Sequence, residues 1–299
     1  MRTQTLMNQL NPRLWMAALS GVAATGLMTG CMTSDRFHGE AGLQLYSLRA
    51  QFPAHMPETM DEIHSWGVKY VETAGTYGKT PEEFHAALVE KGLDAVSGHF
   101  PFDAVAKDPE AVAEQAEKLG LKYVGCAWVP HSEPFDEATC RKAIDVFNKA
   151  GAVMAAHHMT FFYHTHGYEF QPYQDGTLFD LLLKETNPQQ VKLEMDIFWI
   201  CHAGQDPVKL LDKYAGRWEL MHLKDMRTST PTGLLTGHSD VKNDVALGEG
   251  KLPIADILRA AERVGVKWYF LEDESPTSEE QIPRSLAYLR ASSYPPASK

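Results

Sequence analysis

The chain has 299 residues, of which 44% are hydrophobic and 22% are charged, and its formal net charge is −11. This length suits one large domain or two small ones, and the ordinary share of charged residues argues against wholesale disorder. The acidic balance argues against a nucleic-acid partner, because binding to phosphates needs a basic face.

The first 31 residues have the pattern of a secretory signal. Arg2 and Arg13 precede the apolar, small-residue run LWMAALSGVAATGLMTG, and Cys31 follows it. The run is a little short for a membrane-spanning helix, and no charged stop follows it. Its end, LMTGC, resembles a bacterial lipobox, in which the cysteine is lipidated; an ordinary signal peptide with an incidental Cys31 is the alternative. Both interpretations predict a protein outside the cytoplasm, and the lipobox predicts an outer-membrane anchor, because Met32 is not aspartate.

Three further cysteines lie downstream, at Cys126, Cys140 and Cys201, and none of them forms a CxxC pair. The spacing excludes a structural zinc motif of that type and allows at most one disulfide. We expect them to be small buried residues.

Strand-like and helix-like segments alternate along the rest of the chain. The predicted strands cover residues 42–48, 69–73, 94–99, 122–128, 159–164, 191–196, 218–224 and 267–272. The predicted helices cover residues 56–66, 81–91, 109–120, 136–157, 178–186, 207–214, 254–264 and 279–290. Eight strand-then-helix units predict a parallel sheet closed into a (β/α)8 TIM barrel of the α/β class. The predicted boundaries are a signal at 1–31, a spacer at 32–41, one barrel domain at 42–292 and a tail at 293–299.

Four glycines precede predicted strands in a recurring way, at Gly67, Gly92, Gly120 and Gly265. Each lies where a helix ends and the chain turns back, a position that often needs a positive φ.

Residues 226–250 form the one irregular stretch, between the seventh strand and its helix. It is long for such a connection and rich in Gly, Ser and Thr. A loop of this kind on the active face of a barrel is typically a lid or a binding loop, and a disordered insertion is the alternative.

Barrel enzymes build their sites from the C-terminal ends of the strands. Here nearly every predicted strand ends in an ionisable, metal-binding or aromatic side chain: Glu72, His99, Trp128, His164, His166, Asp196, His222, Lys224 and Glu272. A hydrogen-bonded histidine or a paired carboxylate explains any single one of them. Together they indicate a site.

Four of these residues, His164, Asp196, His222 and Glu272, come from consecutive strands and can converge over the barrel mouth. Mixed imidazole and carboxylate ligands suit Mn²⁺, Co²⁺, Zn²⁺, Fe²⁺ or Ni²⁺ better than Ca²⁺, which prefers oxygen. Four protein ligands leave two positions of an octahedral ion for two adjacent oxygens of a sugar. We therefore predict one divalent metal ion.

Side chains alternate along a strand, so His166 faces the same side as His164, and Lys224 the same side as His222. One histidine of the YHTH phrase can then hold the metal while the other faces the substrate. Glu169 lies beyond the strand end, as an alternative ligand or a second polar anchor.

Six phrases in order resemble the sugar phosphate isomerase/epimerase group of the xylose isomerase-like barrel superfamily. They are LQLYSLR (43–49), YHTHGYEF (163–170), LEMDIFW (193–199), HLKDM (222–226), LGEG (247–250) and WYFLED (268–273). The resemblance implies one divalent metal held by Glu, Asp, His and Glu on strands five to eight. Asp196, His222 and Glu272 match three of these roles, whereas His164 stands where many members have glutamate.

The resemblance also implies metal-assisted proton abstraction next to a carbonyl, through an enediolate that the metal stabilises. The candidates to move the proton, each with a pKa that would have to be tuned towards neutrality, are Lys224, His166 and Glu272. The side chains expected to line the pocket are Gln44, Glu72, His99 and Trp128. Trp128 offers an apolar face for a sugar ring.

The predicted function is that of a metal-dependent isomerase or epimerase acting on a sugar or keto-sugar. The first alternative is a lyase that performs β-elimination on 3-keto-glycosides by the same enolate chemistry. His164 speaks against an epimerisation that uses two symmetric glutamates. A non-catalytic sugar-binding lipoprotein and a structural envelope lipoprotein remain as other classes. Outside the cytoplasm phosphorylated sugars are scarce, which favours free sugars or glycosides as substrates.

Overall fold

Eight parallel strands close into a barrel in a computed structural model that describes residues 36–291. The strands are β1 Ala41–Gln44, β2 Tyr70–Thr73, β3 Asp94–His99, β4 Tyr123–Cys126, β5 Thr160–His164, β6 Val191–Asp196, β7 Trp218–Leu223 and β8 Trp268–Leu271. Each pairs with its neighbour in chain order, and β8 pairs with β1. The predicted TIM barrel is confirmed. The predicted signal, Cys31 and the tail at 293–299 lie outside the described residues.

Helices cover the outside of the barrel. Those in the described part are α1 Phe52–Ser65, α2 Pro81–Glu90, α3 Phe102–Lys107, α4 Pro109–Leu119, α5 Glu137–Ala156, α6 Leu178–Glu185, α7 Ile197–His202, α8 Pro207–Lys213, α9 Ile254–Val264 and α10 Ser278–Arg290. Between residues 36 and 291, none of them is long and apolar enough to cross a membrane.

Several elements differ from the prediction. The first strand ends at Gln44, four residues early, because the Gln44 side chain accepts a hydrogen bond from the Tyr46 amide and begins a 3-10 turn. The short helices α3 and α7 were not predicted. Helix α7 follows β6 without a break, because Asp196 Oδ1 caps it by accepting from the amides of Phe198 and Trp199.

The predicted glycine turns are confirmed. Gly67, Gly92, Gly120 and Gly265 have φ angles of 76°, 71°, 76° and 87°. Only glycine adopts this left-handed conformation freely, so each lets the chain leave a helix and enter the next strand.

The three described cysteines are free thiols, and Cys126 and Cys140 are buried, as expected. The segment at 226–250 begins and ends in a short antiparallel pair, Asp225–Met226 with Asp244–Val245. The Asp225 carboxylate anchors it, since it accepts hydrogen bonds from four backbone amides, those of Met226, Gly248, Gly250 and Leu252.

The apolar core has two main parts, and a third, small cluster consists of Phe198, Trp199 and Met226. The larger part fills the space between strands and helices. The smaller part fills the barrel interior and consists of Val96, Tyr123, Phe162, Leu220 and Phe270. Phe162, Leu220 and Phe270 each precede by two residues a predicted site residue on the same strand, so they face the same side one layer lower. The interior cluster is therefore the floor of the site.

Gly125 makes room for this floor. It lies opposite Phe162 in the β4–β5 register, and a Cβ at this position would overlap the Phe162 ring. The Phe162 ring in turn packs against the His99 ring, with centroids 5.5 Å apart. The absence of a side chain at Gly125 thus sets the level at which His99 lies.

We expect Gly125→Ala to lower the free energy of unfolding by about 1–3 kcal/mol, because the added methyl overpacks the barrel interior. Chemical denaturation measures this change. In Gly125→Ala/Phe162→Leu the smaller side chain relieves the overlap, so the double variant should lose less stability than the sum of the single variants. Strictly additive losses would contradict this packing.

Candidate active site

A cavity of about 650 Å³ opens at the C-terminal ends of the strands. Its lining includes these residues predicted from sequence: His99, Trp128, His164, His166, His222, Lys224 and Glu272. The loop at 226–250 contributes Gly237 and the residues that follow it. Strand ends and loop therefore form one site, as the barrel architecture predicts.

Glu72 lies beneath the cavity and is fully buried. Its Oε1 accepts from Gln44 Nε2 at 2.7 Å and lies 2.6 Å from His222 Nε2, while Ser97 Oγ donates to Oε2. Gln44 and Glu72 were expected to line the pocket, and this is wrong: the residues above separate them from it. Glu72 holds the His222 ring from below, and Gln44 holds the Glu72 carboxylate.

Glu194 plays the same part for a second histidine. Its Oε2 lies 2.9 Å from His164 Nδ1 and 3.0 Å from His99 Nε2. An ionised carboxylate oxygen only accepts, so with Glu194 ionised the histidine nitrogens that face it carry the protons. The sequence analysis missed Glu194, although it precedes Asp196 by two residues and so faces the same side of β6.

The remaining ring nitrogens of His164 and His222 face one gap. His164 Nε2 lies 3.8 Å and His222 Nδ1 4.0 Å from Asp196 Oδ2, and His222 Nδ1 lies 3.3 Å from Glu272 Oε2. Asp196 Oδ2 is buried and has no hydrogen-bond partner among residues 36–291. An orphaned carboxylate oxygen beside imidazole nitrogens that are held through their far sides is the arrangement of a metal site. The residues present therefore fit a divalent ion.

Two sets of ligating atoms are close enough to hold an ion. Within each set all atoms lie within 4.8 Å of one another. The outer set is Asp196, His222 and Glu272, which contains three of the predicted ligands. The inner set is His99, His164, Glu194 and His222. The fourth predicted ligand, His164, borders the outer set through Nε2 and belongs to the inner set.

Two carboxylates of the site, Asp196 and Glu194, have raised pKa values. Burial raises the pKa of Asp196 to about 6, and burial together with the charge of Glu72 raises the pKa of Glu194 to about 7. For His222, burial acts to lower the pKa, but the charges of Glu194 and Glu272 outweigh it and the pKa lies well above its ordinary value. A cation in the gap would replace the proton on His222 and relieve both effects.

Lys224 is surrounded by carboxylates. Its Nζ lies 2.6 Å from Glu274 Oε1, 3.4 Å from Glu272 Oε2 and 3.5 Å from Asp244 Oδ2. Burial opposes the charge, but these carboxylates outweigh it, so the pKa of Lys224 lies well above its ordinary value. A pKa near neutrality was expected for Lys224, and this is wrong because Asp244 and Glu274 lie beside its ammonium group. The sequence did not show this proximity.

His166 has the opposite environment. Burial lowers its pKa to about 3, and its Nδ1 has no hydrogen-bond partner in the described part of the chain. The rings of Trp128 and Trp199 lie 5.3 and 5.5 Å from its ring. His166 is therefore a neutral imidazole in the cavity wall, and its pKa also is not tuned to neutrality.

Glu272 completes the set of predicted proton carriers. Burial acts to raise its pKa, but the charges of Lys224 and His222 outweigh it and lower the pKa far below the ordinary value. Glu272 is thus an anion, which suits a metal ligand better than a general base.

Glu169 does not reach the metal-binding atoms. It is fully buried on the outer side of β5, where it accepts from Tyr163 Oη and from the His166 amide at 3.0 Å. It belongs to neither ligand set. The expectation of an alternative ligand is not met, because the 3-10 turn Tyr168–Phe170 directs Glu169 back towards Tyr163. Glu169 holds the chain at His166 instead.

Several inosose dehydratases are similar to this chain in sequence. The chain is 25% identical over 245 residues to an inosose dehydratase of Geobacillus thermodenitrificans, which covers 73% of this chain and 81% of that protein. Four further inosose dehydratases match over 62–63% of their own length, which is less than two thirds.

Solved structures share the fold. A sugar phosphate isomerase/epimerase from Parabacteroides distasonis superposes with a TM-score of 0.71 at 21% identity, over 91% of this chain and all of that one. The IolI protein, solved with a bound zinc atom, superposes with a TM-score of 0.65 at 13% identity, over 85% of this chain and 96% of its own. At identities of 21% and 13%, these similarities show a shared fold alone.

The family model for the xylose isomerase-like TIM barrel matches residues 60–292, which include seven of the eight strands. The superfamily expected from the strand phrases is confirmed. The chain belongs to the xylose isomerase-like TIM barrel family.

Proposed function

We propose that this protein is a metal-dependent lyase that acts on a keto-sugar ring, where it removes a proton next to the carbonyl and expels a group β to it. The observation that carries the proposal is the gap at the barrel mouth, where Asp196 Oδ2 lacks a partner beside His164, His222 and Glu272. Similarity to dehydratases supports elimination, because loss of water is an elimination.

The residues that would hold the ion are Asp196, His222 and Glu272, with His164 beside them. Imidazole and carboxylate ligands suit Mn²⁺, Co²⁺, Zn²⁺, Fe²⁺ or Ni²⁺. When bound, such an ion supplies a Lewis acid that makes the hydrogen next to a carbonyl more acidic.

The reaction balances without an oxidant, because the carbonyl is already present in the substrate. The C–H bond next to the carbonyl breaks, and its proton passes to a base. Its electron pair forms the new C=C bond while the bond from the β carbon to the leaving oxygen breaks. The leaving oxygen keeps the electron pair of the broken C–O bond and takes a proton, so the products are an unsaturated ketone and an alcohol or water.

Two cavity residues suit the two proton transfers. His166 lines the cavity as a neutral imidazole, so it is positioned to accept the proton. The Lys224 ammonium lines the same cavity and is positioned to donate to the leaving oxygen. Groups with opposite protonation states in one cavity are typical of acid–base pairs.

Elimination suits this site better than epimerisation. An epimerase that inverts a carbon needs a base on each face of the ring, and His164 and Glu272 occupy the positions for such a pair. His164 is bound to Glu194 through Nδ1, and Glu272 lies beside Lys224 and His222. Isomerisation or epimerisation remains the competing function and shares the first proton transfer.

The charges in the cavity favour a substrate without phosphate. Of the described residues that line it, Lys224 alone is a lysine or arginine, and three carboxylates lie within 4 Å of its ammonium. A phosphate would meet Asp240, Asp244 and Glu274 without a free cation. This agrees with our proposal, drawn from residues 1–31, that the protein is exported and anchored by a lipid at Cys31.

Metal content tests the site. We expect the full chain to bind about one equivalent of a transition metal, and Asp196→Asn to weaken metal binding by more than the roughly 10–100-fold that loss of an outer hydrogen-bond partner costs. Elemental analysis and chelator competition measure both. Asp145→Asn, an exposed site on α5, is the matched control and should bind like the wild type. No metal in the wild type after incubation with Mn²⁺, Co²⁺ and Zn²⁺ would refute the site.

The carboxylate beneath His222 should matter for affinity. Glu72→Gln keeps the size of the side chain but removes its charge, so the His222 ring is held less firmly. We expect metal affinity to fall about 10–100-fold with the fold intact. Competition with a colorimetric chelator measures the affinity, and circular dichroism checks the fold. Unchanged affinity would mean that Glu72 does not orient the ligand.

Turnover tests the chemistry. With methyl 3-keto-glucoside in D₂O, the metal-loaded protein should release methanol and form an enone, detected by ultraviolet absorbance and NMR. We expect His166→Gln to lower kcat by about 10²–10⁴-fold with its metal content unchanged. His64→Gln, an exposed site on α1, is the control.

The products separate the functions. Deuterium exchange and a new epimer without enone would indicate an epimerase or isomerase. Neither exchange nor enone in the metal-loaded protein would leave a sugar-binding protein without catalysis.

A further inference from the structure

The cavity lining includes exposed apolar side chains. Of the four large hydrophobic side chains that are exposed between residues 36 and 291, Tyr46 and Val241 line this cavity, with 41% and 36% of their surface exposed. A third, Leu234, lies in the same loop as Val241. Exposed apolar groups gathered at one place mark a binding surface.

Polarity changes with depth in the cavity. The buried lining includes four ionisable side chains, those of His164, His222, Lys224 and Asp244, together with Trp199 and Gly237. The exposed or half-buried lining includes the apolar and aromatic groups Tyr46, Phe100, Pro101, Trp128 and Val241. The bottom therefore suits a ring with hydroxyl groups, and the mouth suits an apolar group.

The Tyr46 ring is held in place although it is exposed. The Arg49 guanidinium lies over it, 4.1 Å from the centroid, and is itself 3.6 Å from Glu274. The Trp128 ring is also held in place, by packing against two other rings. Its centroid lies 4.9 Å from that of Tyr168 and 5.2 Å from that of His238. Rings that are fixed before a ligand arrives lose little conformational freedom on binding.

The cavity also has room for two groups. At roughly 30 Å³ per water molecule, 650 Å³ corresponds to about 20 waters, and cavities of this size hold drug-sized ligands. One sugar ring at the metal-binding residues would leave the mouth to water.

We propose that the mouth is a second compartment, which binds an uncharged apolar or aromatic group attached to the sugar ring, so that the substrate is a glycoside of that group. This inference rests on the proposed function, in which the same group departs as an alcohol or phenol. Asp240 and Glu274 at the mouth disfavour an anionic group.

Binding of two stable glycosides tests the compartment without turnover. Phenyl β-D-glucoside and methyl β-D-glucoside share the sugar and differ only in the attached group. We expect the metal-loaded full chain to bind the phenyl compound at least about 10-fold more tightly, measured by calorimetry, because only the phenyl ring reaches the apolar mouth.

Matched variants locate the effect. Tyr46→Ser and Val241→Ser should each lower the phenyl-to-methyl preference towards one. Val89→Ser alters an apolar side chain on α2 that is even more exposed and lies outside the cavity, and it should leave the preference unchanged. A preference near one in the wild type, or the same loss in Val89→Ser, would overturn the inference.

The experiments distinguish failure of this inference from failure of the proposed function. Enone formation from methyl 3-keto-glucoside with no phenyl preference would refute the compartment and leave the lyase. A strong phenyl preference with no enone or exchange would keep the compartment and refute the lyase.

Discussion

Two buried carboxylates beneath the histidines, Glu72 and Glu194, are the interaction on which the site depends. A histidine ring has two nitrogens, and a hydrogen bond to one of them fixes where the other points. Glu72 and Glu194 take the lower nitrogens of His222 and His164, so the upper nitrogens face the gap beside Asp196. The floor formed by Phe162, Leu220 and Phe270 sets the height of this layer.

The same carboxylates, with Asp196 and Glu272, explain why a cation would suit the site. A buried carboxylate is costly unless it is paired, and Glu72, Glu194, Asp196 and Glu272 share one small volume. Lys224 and protonated His222 balance this charge in part, but Asp196 still has a raised pKa and an unpartnered oxygen. Since protons already occupy the positions that an ion would take, metal binding should release protons.

Much of this could be predicted from sequence, because a barrel places the ends of its strands around one point. The bounds of β3, β6 and α9 agree with the prediction, and three of four predicted ligands form one set. Helix α7 was missed because all but one of its residues are buried, so it lacks the one-sided apolar pattern of a surface helix. Glu194 was missed because only the last residue of β6 was considered.

The contacts of Lys224 could not be predicted in this way. They depend on how the loop at 226–250 folds back, which brings Asp244 beside Lys224, and on the turn after β8, which brings Glu274 there. Local sequence patterns describe strands and helices well because these have fixed periods, and loops have none.

The loop connects the two halves of the cavity. Asp225 anchors its ends through four backbone amides, so the segment between them has a fixed base. From that base the loop sends Asp244 towards the charged bottom, to Lys224, and Val241 towards the apolar mouth. A movement of this segment would therefore change the charge around Lys224 and the apolar surface at the mouth together. Polar chemistry at the bottom and apolar recognition at the mouth are thus coupled through one short stretch of chain.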